Sequence, residues 1–420
     1  MYPGDATDAY EDLTYVNSGF QRPECVISMD PLVLTGIALA LLFNFVNGMN
    51  DAANSIATIV ATRVLSPVKA VAMAAFFNMA GPLIFTTAVA KTIGKGIVDP
   101  AYLTTTVLLV GLSVAVLWVF ISSTVGIPIS ATHALVGGLV GSAAAYAGIG
   151  VIILPSVGTI LLLFMYSGIG AIVGMVLFSL MGRMRKEEAM ISLIAQGAFA
   201  GAVLSVPFVI VTGILEISGL FAIVVFIVVS PLLGFLSAYL ISLIFTRSFR
   251  KTNPKKMNLL SKKLQIVSAS FYSLGHGSND AQNAMGIITA ILIAGGVLHE
   301  FIVPLWVIVL SCAAIALGTL IGGWQVVKTM ARRITNLHPY QGFCAETSGG
   351  VVLSFITSFG VPVSTTHAIT GSIMGVGASR RSSAVQWDTV RRIVTAWILT
   401  IPITASSAYT FYFVYLAAVF

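Results

Sequence analysis

The chain has 420 residues, 57% of them hydrophobic and 9% charged, with a formal net charge of +7 and a mean hydropathy of +0.97. That balance excludes soluble globular domains and points to a polytopic membrane protein. The positive charge is no ground for a nucleic-acid partner, because most of it is concentrated in short clusters between apolar stretches.

Residues 1–28 are polar and acidic (Asp5, Asp8, Glu11, Asp12, Glu24), without a basic start or an apolar core. They read as a disordered tail and not as a secretory signal, with Met29 as an alternative start. Apolar stretches then recur at 31–47, 67–90, 101–121, 153–182, 190–215, 220–246, 303–327 and 389–418, most of them near or above the roughly 20 residues a membrane helix needs. Shorter apolar pieces interrupted by Gly, Pro and polar residues lie between them. The expected fold is therefore an all-α polytopic membrane protein of about ten to twelve transmembrane segments, with broken or re-entrant helices. Gly137, Gly141 and Gly168 predict close helix packing, and Glu216 an interfacial turn. Cys25, Cys312 and Cys344 show no metal spacing and read as small packing residues.

Two motifs occur twice. Gly48-Met49-Asn50-Asp51-Ala52-Ala53-Asn54 returns as Gly277-Ser278-Asn279-Asp280-Ala281-Gln282-Asn283, with five of seven positions identical. Gly126-Ile127-Pro128-Ile129-Ser130-Ala131-Thr132-His133-Ala134 returns as Gly360-Val361-Pro362-Val363-Ser364-Thr365-Thr366-His367-Ala368, with six of nine identical. The offsets, 277 − 48 = 229 and 360 − 126 = 234, nearly agree, so the repeating unit is large.

Charge predicts how the copies are oriented. Between Arg247 and Lys263 the chain carries Arg250, Lys251, Lys255, Lys256 and Lys262 and no acidic residue, the mark of a cytoplasmic loop. Only Arg22 precedes the first copy, so the copies should enter the membrane from opposite sides. Arg183, Arg185 and Lys186, and Lys328, Arg332 and Arg333, fall on the cytoplasmic side; Lys91 and Lys95 fall outside and fit the rule less well. The expected organisation is a tail at 1–30, a first inverted repeat at 31–182, linking spans and the basic loop at 183–263, and a second repeat at 264–420. Substrate would sit near the midplane, between broken helices from each half.

An Asp inside a membrane segment costs about 2.5–3.5 kcal/mol on insertion scales, so Asp51 and Asp280 call for a cation, a partner or water. A polar packing clamp is the plain alternative, but a clamp need not recur in inverted copies. In the second motif, Pro128 and Pro362 suit a first helical turn, with Ser130 and Thr132, or Ser364, Thr365 and Thr366, near the helix N-terminus. Free backbone N–H groups, hydroxyls and the positive end of a helix dipole make an anion site; the alternative is a kinked helix whose hydroxyls merely cap backbone groups. Neither motif holds Lys or Arg. Cations at the aspartates would neutralise them and make anion binding favourable, which gives a physical basis for coupling.

Glu346 is an intramembrane carboxylate with Leu112 at the corresponding place in the first half; it either holds an extra cation or pairs with nearby donors. His133 and His367 read as hydrogen-bonded structural histidines. His276 stands where the first copy has Asn47, which argues against an imidazole needed in both halves. No Walker loop, zinc-protease or nucleophile-elbow motif is present, so neither an enzyme nor a nucleotide-driven pump is expected.

At these duplicated motifs the chain resembles the inorganic phosphate transporter family, the Pit-type permeases that include sodium-dependent phosphate symporters, over most of residues 31 to 418. The resemblance implies an inverted-repeat fold with transport and scaffold domains, alternating access and a homodimer. It implies that Asp51, Asn54, Asp280, Asn283 and the hydroxyls of Ser130, Thr132, Ser364, Thr365 and Thr366 line a phosphate site. The same aspartates, with Asn50, Asn279, Ser123 and Thr357, would hold sodium, and Glu346 an additional cation. Ala131 opposite Thr365 and Ala53 opposite Gln282 mean that the halves cannot coordinate identically. The long insert of animal members is missing, which suits a compact prokaryotic-type permease of the inner (plasma) membrane.

The function expected is sodium-coupled symport of inorganic phosphate into the cell, with sodium as a co-transported ligand and no other cofactor. Proton coupling, sulfate as the anion, an anion channel and a non-transporting receptor or scaffold are the alternatives.

Overall fold

The computed structural model describes residues 30–84, 87–185, 190–215 and 219–419. The expected tail, Cys25, Lys186 and Glu216 lie outside the described residues. Among those described there are fourteen α-helices and no strand, only an isolated bridge between Val98 and Ile152.

The first half consists of α1 (Pro31–Ala61), α2 (Pro67–Ile84), α3 (Ala88–Lys95), α4 (Thr105–Val125), α5 (Ala131–Ala147) and α6 (Val157–Arg185). After α7 (Met190–Val211) and α8 (Gly219–Ser248) the order returns as α9 (Pro254–Ala294), α10 (Leu305–Ile321), α11 (Trp324–Arg332), α12 (Pro339–Thr357), α13 (Thr365–Ala378) and α14 (Trp387–Val419). Seven helices are long and apolar enough to cross a membrane, or eight with α10 and α11 taken as one span bent by 69°. Composition undercounts the expected ten to twelve, because α9 and α12 carry polar motifs and α5 and α13 have only 17 and 14 residues.

The helices that carry the two Asn-Asp copies, α1 and α9, run in opposite directions. Gly36 of α1 packs on Ile291 of α9, Asn47 reaches Asp280 and Thr62 reaches Gln265, so α9 numbers fall as α1 numbers rise. The contacts between halves also repeat. A Cβ at Gly81 of α2 would meet the carbonyl oxygen of Leu274 on α9, and one at Gly318 of α10 would meet that of Phe45 on α1. Leu274 and Phe45 each lie three residues before the Gly-x-Asn-Asp motif. Small residues here let helices approach at backbone distance, the usual device where lipid leaves helix association to packing.

The Asn-Asp motifs lie in the uninterrupted helices α1 and α9. The interruptions fall between α10 and α11 and at the turns joining α4 to α5 and α12 to α13, where Gly126 and Gly360 take φ of 81° and 73°. Much of the basic stretch is helix and not loop, since Asn253 caps α9 through Lys255 N and Pro254 occupies its first turn. Gly137 and Gly141 do press on α14, but Gly168 has open space, and Gly170 and Gly174 make the contact with α7 instead.

Candidate functional site

The tips of the two helical hairpins, α4–α5 and α12–α13, meet the middles of α1 and α9. Each Asn-Asp motif is held first by its own half: Asn50 Nδ2 lies 2.7 Å from Asp51 Oδ1 and 3.4 Å from the Ile129 carbonyl. Asn279 Nδ2 lies 2.7 Å from Asp280 Oδ1 and 2.8 Å from the Val363 carbonyl. The second Asn of each motif reaches the other half. Asn54 donates to Thr366 Oγ1 at 2.9 Å, and Asn283 donates to Thr132 Oγ1 at 2.9 Å.

The aspartates converge on one hydroxyl. Thr365 Oγ1 lies 3.2 Å from Asp51 Oδ2 and 3.3 Å from Asp280 Oδ2, and having one proton it serves one at a time. Thr366 Oγ1 lies 3.2 Å from Asp51 Oδ1. His276 Nε2 lies 3.3 Å from Asp280 and 3.9 Å from Asp51. Its other nitrogen is 3.1 Å from Asn78 Oδ1. Thr319 gives its proton to the Ile315 carbonyl and so accepts from Asn78 Nδ2 at 2.9 Å, which fixes Asn78 and puts the proton on His276 Nδ1. Nε2 therefore faces two carboxylates with either a second proton or a lone pair that a cation must cover.

Two kinds of unused capacity meet here. Ser130 and Ser364 are the N-caps of α5 and α13, each accepting from the backbone N–H three residues on. The N–H groups of Ala131, Thr132, Thr365 and Thr366 have no partner among the described residues, as expected of helix N-termini that present donors to an anion. The buried oxygens Asn50 Oδ1, Asn54 Oδ1 and Asn283 Oδ1 likewise have no donor, and with the carboxylates they form an oxygen-rich set suited to a hard cation. Asp51, His276 and Asp280 offer ligand atoms all within 4.8 Å of one another. The residues named at the centre are each at most 3% exposed, so the site is occluded.

The phosphate transporter family model matches residues 47–196 and 191–408. The chain belongs to the phosphate transporter family. A relative from Rhizobium meliloti (strain 1021), described as "Probable low-affinity inorganic phosphate transporter", is 44% identical over 384 residues, covering 91% of this chain and 96% of that one. One from Bacillus subtilis (strain 168), described in the same words, is 34% identical over 393 residues, covering 92% and 98%. The solved structure titled "The sodium-dependent phosphate transporter" shares the fold, with a TM-score of 0.65 at 24% identity over 92% of this chain and 99% of that one.

In this member of the phosphate transporter family, Asp51, Asn54, Asp280, Asn283, Thr132, Thr365 and Thr366 come together, with Asn50 and Asn279 beside the carboxylates. Thr357 Oγ1 donates to Asn279 Oδ1 at 3.1 Å. Its counterpart Ser123 lies buried against Gly323, close to Asn50. Glu346 stands apart, its carboxylate accepting from Thr58 at 2.5 Å, Ser268 at 2.5 Å and Gln265 at 3.0 Å. Thr58 is seven residues beyond Asp51 on α1, about 10 Å along the helix.

Some readings of single residues are corrected. Pro128 and Pro362 lie before the N-cap serines and not in the first helical turn, where they fix an extended entry. The hydrogen bonds expected of His133 and His367 are not made in full: His133 Nδ1 and the ring nitrogens of His367 lack partners of good geometry among the described residues. The rings instead meet edge to face at 4.9 Å, with His367 stacked on Trp397 at 3.8 Å. His276 was undervalued because comparison with Asn47 treats the halves as copies, whereas both side chains reach the same carboxylate. A polar residue alone in an apolar span, as Asn78 is in α2, was the available signal. Gln282 accepts from Ala90 N at 3.1 Å and anchors α3, which accounts for its difference from Ala53.

Proposed function

We propose that the protein is a secondary transporter that carries inorganic phosphate into the cell across the inner (plasma) membrane, coupled to sodium, by alternating access of two inverted repeats. The carrying observation is the meeting of two helix N-termini with unpartnered N–H groups and two carboxylates with donor-free amide oxygens. The hydroxyls of Ser130, Thr132, Ser364, Thr365 and Thr366, with Asn54 and Asn283, would complete a tetrahedral oxyanion site. Asp51, Asp280, Asn50, Asn279, Ser123 and Thr357 would take sodium, and Glu346 an additional cation.

Membership of the phosphate transporter family, relatives described as phosphate transporters and the fold of a sodium-dependent one support this reading. A phosphate that keeps a proton can donate to Asp51 or Asp280, whereas sulfate cannot at neutral pH. A homodimer remains part of the proposal. Only 6% of the most apolar stretch of α6 is buried, which leaves that helix for lipid or a second copy.

One observation favours a second reading, proton coupling: His276 Nε2 faces both carboxylates and has room for a proton where a cation would otherwise be needed. The test is uptake of labelled phosphate into proteoliposomes under an inward sodium gradient or an inward proton gradient at equal membrane potential, with sulfate as competitor. Sodium-driven uptake insensitive to sulfate is expected. Uptake that follows the proton gradient alone would replace sodium by protons, and no uptake under either would remove phosphate symport.

A further inference from the structure

Helix α1 ends in a conformation its residue resists. Arg63 has a φ of 57° and is the single non-glycine residue with positive φ among those described. Arg63 N bonds the Val60 carbonyl at 3.1 Å and Val64 N bonds the Ile59 carbonyl at 3.1 Å, closing a turn whose left-handed position normally takes glycine. Helix α9 closes with the corresponding bonds, Gly296 N to Ile293 and Val297 N to Leu292, and there the residue is Gly296 at 70°. The first half thus keeps an arginine where the second uses the unstrained residue. Strain of this kind persists where the surroundings require the side chain.

Arg63 lines a cavity of about 580 Å³ together with Trp324, Lys328 and Arg332 of α11. That volume lies within the range of small-molecule sites. None of the three cations pairs with a carboxylate among the described residues, so three like charges face one space. The opposite end of the molecule holds the equivalent cavity, with Ile293, Ala294, Gly94 and Lys95 where this one has Val60, Ala61, Ala331 and Arg332. It measures about 240 Å³, and its Lys95 lies over the Phe301 ring at 5.6 Å. The positive-inside tendency accounts for basic residues at one end; it does not account for a strained Arg63 or for convergence on a single cavity.

We propose that the cavity between the end of α1 and α11 is a second anion site, separate from the central one, that takes a phosphate-bearing anion. The guanidinium groups of Arg63 and Arg332 fit phosphate oxygens in pairs, with Lys328 adding a point charge. Either the free ion or the headgroup of a phospholipid supplies this chemistry. The proposal does not depend on the transport reading.

Trp324 is the reporter. Purified full-length protein in neutral, sodium-free detergent solution, where no sodium offsets the central carboxylates, is titrated with the potassium salt of inorganic phosphate and then with phosphatidic acid. Phosphatidylcholine and chloride at equal ionic strength serve as controls, and the signal of Trp324→Phe protein is subtracted. A saturable change in the Trp324 component is expected, weakened about tenfold or more in Arg63→Gly/Lys328→Gln/Arg332→Gln protein and kept in Lys95→Gln protein. Saturation by inorganic phosphate assigns the free ion, and saturation by phosphatidic acid alone assigns the headgroup. No saturable change with either, or a change that survives loss of the three cations, overturns the proposal. Arg63→Gly alone relieves the backbone strain and gives a folded comparison if the triple variant does not fold. Since the readout is binding without sodium and not uptake, a failure of phosphate uptake leaves this result untouched.

Discussion

The imidazole of His276 stands 3.3 Å from the carboxylate of Asp280, one helical turn further along the same helix. Asn78 Oδ1 accepts the hydrogen bond of the other ring nitrogen, so the side facing Asp280 and Asp51 is the place where an extra proton or cation must sit. Under the proposed sodium coupling, an imidazolium there would compete with sodium for both carboxylates. His276→Gln should therefore lower the sodium concentration needed for half-maximal phosphate uptake. A loss of all sodium stimulation would instead make Nε2 a ligand of the ion.

Asp51 and Asp280 are buried, share Thr365 and have no Lys or Arg partner among the described residues. Asn is nearly isosteric and keeps an acceptor oxygen, so Asp51→Asn and Asp280→Asn should fold. Each should reduce uptake about a hundredfold, ~2.7 kcal/mol of lost stabilisation, with melting in detergent little changed. Unchanged uptake in both would return the motifs to a packing role.

Thr365 has no counterpart hydroxyl, since Ala131 stands at its place in the first half. Its Oγ1 links Asn54 to the two carboxylates. Thr365→Val keeps the volume but leaves buried polar groups without a partner, at about 1–3 kcal/mol, whereas Thr365→Ser keeps the hydroxyl. Uptake should fall at least about tenfold in the valine variant and stay within severalfold in the serine variant. Equal losses in both would mean that the methyl group, and not the hydroxyl, is what the site needs.

Glu346 accepts three hydrogen bonds and is satisfied without an ion, yet the charge stays buried. Glu346→Gln turns one accepting oxygen into a donor and should cost about 1–3 kcal/mol in stability. If the carboxylate holds an additional cation, the sodium dependence of uptake also becomes less steep while the half-saturating phosphate concentration is unchanged. A lower melting temperature with an identical sodium curve would leave Glu346 a structural group.

The paired motifs carried most of the site, because a polar run repeated inside apolar sequence has few causes other than a ligand. Asn50, Asp51 and Asn54 were readable as a group for that reason, as were Asn279, Asp280 and Asn283. What no repeat could reveal was the partner chosen by each group. Asn54 crosses to Thr366 rather than to Thr132 of its own half, a choice made by how the hairpins pack. Gln265, Ser268 and Thr58 were invisible for a related reason: they surround Glu346 from two helices, and Thr58 lies more than 200 residues from the other two in sequence. The motif residues, poor lipid neighbours, face other helices and leave α1 and α9 continuous.

Each long helix packs on a neighbour at backbone distance, α1 on α10 and α9 on α2, and glycine positions test these contacts directly. A Cβ at Gly48 would meet the carbonyl oxygen of Ile315, and one at Gly277 that of Asn78. Neither obstacle is a side chain that could turn away, so the helices must separate. Gly48→Ala and Gly277→Ala should each cost about 1–3 kcal/mol and lower the melting temperature in detergent by similar amounts, because the contacts are equivalent. Gly168→Ala meets nothing within 4 Å and should be neutral or gain up to about 1 kcal/mol from helix propensity. Destabilisation by Gly168→Ala alone, with the other two tolerated, would show that the α6–α7 pair and not the α1–α10 and α2–α9 contacts limits the stability of the fold.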